Sequence, residues 1–273
     1  MTVDVDGVTL AGETSGQGMP IVLLHGLSAT RRYVVMGSRA LERSGHRVIA
    51  YDARGHGQSE PAREREYGYE RLAADLGGVL DAAGVQRALL AGASMGAQTA
   101  LRFALEYPER VSALAIITPA YEPAAAGGGR ELARWDALAR GLREGGVEGF
   151  VQAYDLDAVP ERWRATVATV LRQRLGAHEH LDAVADALEV VPRSHPFEDI
   201  RQLTAIDVPS VVIASRDEAD PGHPLAVAER YASAISGAEL LVEDAGPPPR
   251  SPLAWQGGQL SQILARLAAR VDT

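Results

Sequence analysis

The chain of 273 residues contains no cysteine. That excludes disulfides, thiolate metal ligands and a cysteine nucleophile, so its chemistry must come from oxygen and imidazole. No apolar run approaches the roughly twenty residues of a membrane-spanning helix. The opening Met1-Thr-Val-Asp-Val-Asp-Gly7 has neither the basic nor the apolar stretch of a secretion signal, so a cytoplasmic location without membrane contact is expected. Positive charge is scarce: 27 Lys and Arg face 36 Asp and Glu, a net charge of −9. Nucleic acid and anionic surfaces need clustered positive charge, so neither is expected as a partner. Internal repeats are absent, and Arg63-Glu-Arg65 reads as solvated surface. Histidine is also absent after His223.

One core with an insertion suits this length better than two independent domains. A strand, a turn at Asp6-Gly7 and a second strand near Val8 to Thr14 precede the apolar run Ile21-Val-Leu-Leu24. A helix through Tyr33, Val34 and Leu41 is expected next, followed by a strand at 46–51. Tyr69, Leu72, Leu76, Val79 and Leu80 then recur at helical spacing. Strand 88–93, helix 95–107 and strand 111–118 continue the alternation, which implies a parallel sheet covered on both faces.

After Pro119 the strands stop. Four helical stretches are expected, around Trp135–Leu142, Phe150–Tyr154, Trp163–Leu171 and Leu181–Leu188, with Gly127–Gly129 as a hinge into them. Strands return at 208–214 and 238–243, and a helix through Leu260–Val271 closes the chain. The expected organisation is a core of residues 1–120 and 201–273 with a helical lid over 121–200.

Apolar residues 88–91 run into Gly92-x-Ser94-x-Gly96 and then a helix. A serine hydroxyl is a weak nucleophile, so it must be fixed where a base can take its proton and backbone N–H groups can receive an oxyanion. A sharp strand-to-helix turn does this, and its tightness requires small residues at Gly92 and Gly96, helped by Ala93 and Ala97. Met95 then offers its N–H at a helix N-terminus, which favours negative charge.

Three further blocks complete a resemblance to the α/β-hydrolases that carry a helical lid: Leu23-Leu-His-Gly-Leu-Ser28, Tyr51-Asp-Ala-Arg-Gly-His-Gly-Gln-Ser59, and Phe197-Glu-Asp-Ile200 leading through Asp207-Val-Pro209 into the seventh strand. The resemblance implies an α/β fold: a mostly parallel eight-stranded sheet, helices on both faces and the lid insertion. It also implies that Leu27 and Met95 supply the oxyanion N–H groups, that His25 and Gly26 shape the loop beneath them, and that His56 is a turn residue.

By the same resemblance the acid follows the seventh strand, where Asp220 fits best ahead of Asp217 and Glu218. The base should follow the eighth strand, yet Gly246 is followed there by Pro247. Three explanations are open. His223 could reach Ser94 from the acid loop, which is expected to sit one strand further from the serine. Ser94 and the oxyanion hole could act without a histidine. The pocket could have outlived its chemistry.

The leading expectation is ester or acyl hydrolysis of a small, apolar substrate under the lid, without cofactor or metal. A non-hydrolytic cyclase, lyase or isomerase and a ligand-binding pseudoenzyme are the alternatives. His178-x-His180 reads as two directions on a solvated helix surface rather than a metal site. His195 stands where the insertion returns to the core. Oligomeric state stays open, a homodimer included.

Overall fold

In the computed structural model, which describes residues 1–123, 128–216, 220–243 and 255–271, the chain starts with an antiparallel pair, β1 (Thr2–Val5) and β2 (Val8–Ser15). Asp6 and Gly7 join them at φ of 51° and 73°, the left-handed pair that a two-residue hairpin turn requires. The alternation runs through β3 (Met19–Leu24), α1 (Ala40–Arg43), β4 (His46–Tyr51), α2 (Tyr69–Ala82), β5 (Ala88–Ala93), α3 (Met95–Glu106) and β6 (Val111–Ile117). Three inserted helices follow: α4 (Gly129–Ala153), α5 (Glu161–Leu175) and α6 (Leu181–Val190). The sheet resumes with β7 (Ser210–Ala214), α7 (Leu225–Ala234), β8 (Glu239–Val242) and α8 (Gly257–Ala269).

The eight strands form one sheet in the order β1-β2-β4-β3-β5-β6-β7-β8, parallel from β4 onward. Its central strands are buried along almost their whole length because helices cover both faces. Alternate side chains divide between the faces: Leu90, Ile116 and Val212 pack with residues of α2, α3 and α7, while Leu89, Ala115 and Ile213 pack with residues of α8. The chain moves from β3 outward to β4, then crosses back to β5 on the other side of β3. The crevice beyond the carboxyl ends of β3 and β5 is therefore the position where such sheets bind ligands.

Two expectations are corrected. The loop after β7 is nearer the serine than the loop after β8, since β7 lies two strands from β5 and β8 three. The helix expected through Tyr33 and Leu41 is instead a short 3-10 turn, Arg31–Tyr33, followed by α1. Met36 and Gly37 take φ of 49° and 72°, and a right-handed helix cannot continue through them.

The first two expected insertion helices are one run, α4, kinked at Gly146 where φ is 59°. Leu138, Leu142, Phe150, Leu171, Leu175, Val184 and Leu188 give the inserted helices their own apolar cluster. Arg65, from the loop after β4, is paired with Glu189 and Asp186 on α6. Arg143 on α4 reaches the same two acids at 2.5 Å each. Among the described residues no helix is long and apolar enough to cross a membrane.

The loop after β4 is anchored by a buried ion pair. Arg54 donates from Nε and Nη2 to the Asp75 carboxylate of α2 at 2.7 and 2.5 Å, both side chains being 1% exposed. Removing one partner would leave the other charge buried and unpaired. Asp75→Ala is expected to lower the unfolding free energy by about 3–5 kcal/mol in urea denaturation. An Arg54→Met, Asp75→Leu double variant is expected to recover most of that loss.

Candidate active site

Ser94 lies between β5 and α3 with φ 50° and ψ −113°, a conformation costing a non-glycine residue about 1–3 kcal/mol. The surrounding backbone enforces it. A Cβ at Gly92 would meet the Gly96 carbonyl oxygen at 2.2 Å, and one at Gly96 would meet that of Leu24 at 2.2 Å. Neither position has room for a side chain, so α3 packs bare backbone against β5 and the end of β3. The Ser94 N–H donates to Ile117 at 3.0 Å, tying the turn to β6.

Because β3 adjoins β5, the loop after β3 lies beside Ser94. A Cβ at Gly26 would stand 3.5 Å from the Ser94 Cβ. His25 is 3% exposed and accepts from the Ala53 N–H at 2.9 Å through Nε2. Its proton is therefore on Nδ1, which donates to the Gly26 carbonyl at 2.9 Å. The Ala29 N–H donates to the same oxygen at 3.0 Å. In a trans peptide N–H and C=O point opposite ways, so these bonds direct the Leu27 N–H away from the His25 ring. Met95 opens α3, where first-turn N–H groups have no carbonyl partner within the helix. The Leu27 side chain packs against the inserted-helix cluster, as Trp135 does, and against the cluster that contains Met95.

On the opposite side, the loop after β7 brings two groups to the serine. His223 Nε2 lies 2.9 Å from Ser94 Oγ, and His223 Nδ1 lies 2.8 Å from Asp220 Oδ2. A carboxylate only accepts, so Nδ1 bears the proton and the Nε2 lone pair faces the serine hydroxyl. Burial pushes the His223 imidazole down, but the Asp220 charge and hydrogen bond outweigh it and the net shift is upward. Burial pushes Asp220 up, and His223, Arg174 and the Gly222 N–H bring it below the usual carboxylate range. The alternative acids Asp217 and Glu218, the Gly246-Pro247 step and the Gly127 end of the expected hinge all lie outside the described residues.

The other histidines divide. His178 corrects the expectation of a solvated helix surface: it lies on the connection between α5 and α6, is 9% exposed, and bonds to Gly57 and Ser28 of the core. His180 is half-buried. His56 is 1% exposed, with Nδ1 on the Arg54 carbonyl. Burial lowers the pKa of His25, of His56 by a larger margin, and of His178 to about 4. His195 is exposed and meets the Tyr121 hydroxyl at 3.1 Å. Among the described residues no group of three or more His, Asp or Glu is placed to hold a metal ion.

Local sequence gave no sign of the partners of His178. They are 121 and 150 residues away, beyond any periodicity.

A serine on a strained strand-to-helix turn at the crevice of a doubly covered sheet defines a hydrolase scaffold. The chain belongs to the α/β hydrolase fold family, whose sequence profile matches residues 19–248. It is 30% identical over 203 residues to a Variovorax paradoxus protein named as a candidate carbamate hydrolase, RutD, covering 74% of this chain and 75% of that one. It is 32% identical over 213 residues to a 2-hydroxy-6-oxononadienedioate/2-hydroxy-6-oxononatrienedioate hydrolase of Paraburkholderia phymatum, covering 74% and 70%. A thermophilic esterase from Thermogutta terrifontis superposes with a TM-score of 0.78 at 24% identity, over 100% of this chain and 99% of that one; at that identity the likeness speaks for the fold.

His223 is expected to titrate above 6.5 when its ring protons are followed by NMR against pH. In Asp220→Asn the upward influence is gone while burial remains, so the midpoint is expected to fall below the wild-type value.

Proposed function

We propose that the protein is a serine hydrolase acting on small esters or related acyl compounds, with Ser94 as nucleophile, His223 as base and Asp220 as the acid that orients it. The observation carrying this reading is the unbroken line of contacts from Asp220 through His223 to Ser94, at 2.8 and 2.9 Å. Ser94 Oγ attacks the substrate carbonyl as its proton passes to His223 Nε2. The Leu27 and Met95 N–H groups receive the oxyanion, and each such donor contributes about 3 kcal/mol to the barrier reduction. The imidazolium, stabilised by Asp220, returns its proton to the leaving group, and water then releases the acyl group by the same path. Both catalytic partners of the serine come from the loop after β7, so the eighth strand need supply no histidine.

Residues 121–200 act as a lid on the core formed by 1–120 and 201–273. The apolar surroundings of Leu27, Trp135 and Met95 favour a small, largely apolar substrate and exclude water from the acyl-enzyme. The two sequence relatives are named for hydrolysis of a carbamate and of an oxononadienedioate or oxononatrienedioate, and a hydrolase reading is common to them.

A fluorophosphonate probe is expected to label Ser94, and His223→Ala to slow labelling by at least about 10³-fold. With p-nitrophenyl acetate, kcat/KM is expected to rise with pH through a midpoint above 6.5, because protonated His223 cannot accept the serine proton and its pKa is raised. Failure to label Ser94 would overturn the reading. A native turnover that survives Ser94→Ala would point to non-hydrolytic chemistry, and ligand retention without turnover to a binding protein.

A further inference from the structure

We infer that His178, on the connection between α5 and α6, is a positioning residue that holds the oxyanion loop in its working conformation and so couples that loop to docking of the inserted helices. The inference rests on the proposed role of the Leu27 N–H.

The loop segment 26–28 is held at both ends by imidazoles. From the core, His25 Nδ1 fixes the Gly26 carbonyl at 2.9 Å. From the insertion, His178 Nε2 donates to the Ser28 carbonyl at 3.2 Å, and the Leu27 peptide lies between these two anchors. Ser28 takes φ of 66°, a region that serine leaves unless its surroundings hold it. The Ala29 N–H bond to the Gly26 carbonyl closes the turn that contains it, and His178 adds the bond from the insertion to the Ser28 carbonyl itself.

The His178 ring is itself fixed. The Gly57 N–H donates to Nδ1 at 2.8 Å, which leaves the proton on Nε2 for Ser28. The next residue repeats the attachment, since the Glu179 N–H donates to the Gly57 carbonyl at 2.9 Å. The ring packs edge-on against His56 at 5.5 Å, and His56 packs against His25 at 5.2 Å. The imidazole from the insertion and the imidazole from the oxyanion loop thus sandwich a third between them. Burial keeps His178 neutral down to about pH 4, so its pattern of one donor and one acceptor is fixed at physiological pH.

If the inserted helices lift away, the Ser28 bond breaks and the loop carrying the Leu27 N–H keeps only its core anchors at Gly26. Serine activation by His223 does not depend on that bond. The two halves of the site are therefore separable by substitution.

The test uses the full chain and two amide variants. His178→Asn keeps an acceptor near the Nδ1 position for Gly57 but is too short to reach Ser28, whereas His178→Gln reaches the Nε2 position. With p-nitrophenyl acetate, His178→Asn is expected to lower kcat about tenfold or more with KM within about twofold, as for a weakened oxyanion donor. A trifluoromethyl ketone, whose hemiketal oxygen occupies the oxyanion position, is expected to bind weaker by the same factor, and His178→Gln to recover most of both losses. Equal kcat and equal ketone affinity in His178→Asn and wild type would overturn the inference. So would a loss appearing in KM alone, or one that His178→Gln does not restore. A wild-type protein that neither labels at Ser94 nor binds the ketone would instead defeat the hydrolase reading.

Discussion

A Cβ on Gly96 would sit 2.2 Å from the Leu24 carbonyl oxygen, and one on Gly92 the same distance from that of Gly96; this contact of bare backbone between α3, β3 and β5 sets every other distance at the site. It brings the first turn of α3 close enough to β3 for the loop after β3 to lie alongside Ser94. It also holds Ser94 at a φ of 50°, so the hydroxyl stands clear of the sheet. The buried strands on either side, Ile21–Leu24 and Leu89–Ala91, make that approach rigid, because a core packed to crystal density cannot yield locally.

The loops around the elbow are fixed by polar contacts that are themselves buried. His25 bonds to the Ala53 N–H and Gly26 carbonyl, His56 to the Arg54 carbonyl, and His178 to Gly57 and Ser28. Arg54 continues the network to Asp75. Three imidazoles are held neutral by burial at this seam, whereas His223, facing a carboxylate, is shifted the other way. Identical side chains thus have opposite electrostatic behaviour within one site: Asp220 hydrogen-bonds the His223 ring and outweighs its burial, whereas Asp52 acts on His25 and His178 by charge alone and burial prevails.

Much of this was legible from the residues. The strands of the core follow from apolar runs, the inserted helices from 3.6-residue spacing, and the elbow from small residues around Ser94 between a strand and a helix. The resemblance supplied the acid loop. What stayed hidden depends on long-range packing or on single backbone angles. Positive φ at Met36 and Gly37 breaks a helix that apolar spacing predicts. His178 reads as a surface residue because His178 and His180, two apart on a helix, would point in different directions, yet its partners arrive from distant loops. The reach of His223 depends on sheet order, which local sequence does not carry: β7, not β8, is the nearer strand to β5.

Asp220 and His223 are three positions apart, with the His223 N–H donating to the Asp220 carbonyl at 3.3 Å, so the proposed acid and base share one short backbone turn. In the proposed mechanism their mutual geometry is a local property of five residues, 220–224. It does not require two separate strands to keep register with each other. A relay of that kind behaves as a cassette: it can be carried as a unit onto another strand-to-helix junction, and the segment that would ordinarily bear the base is released to vary with substrate.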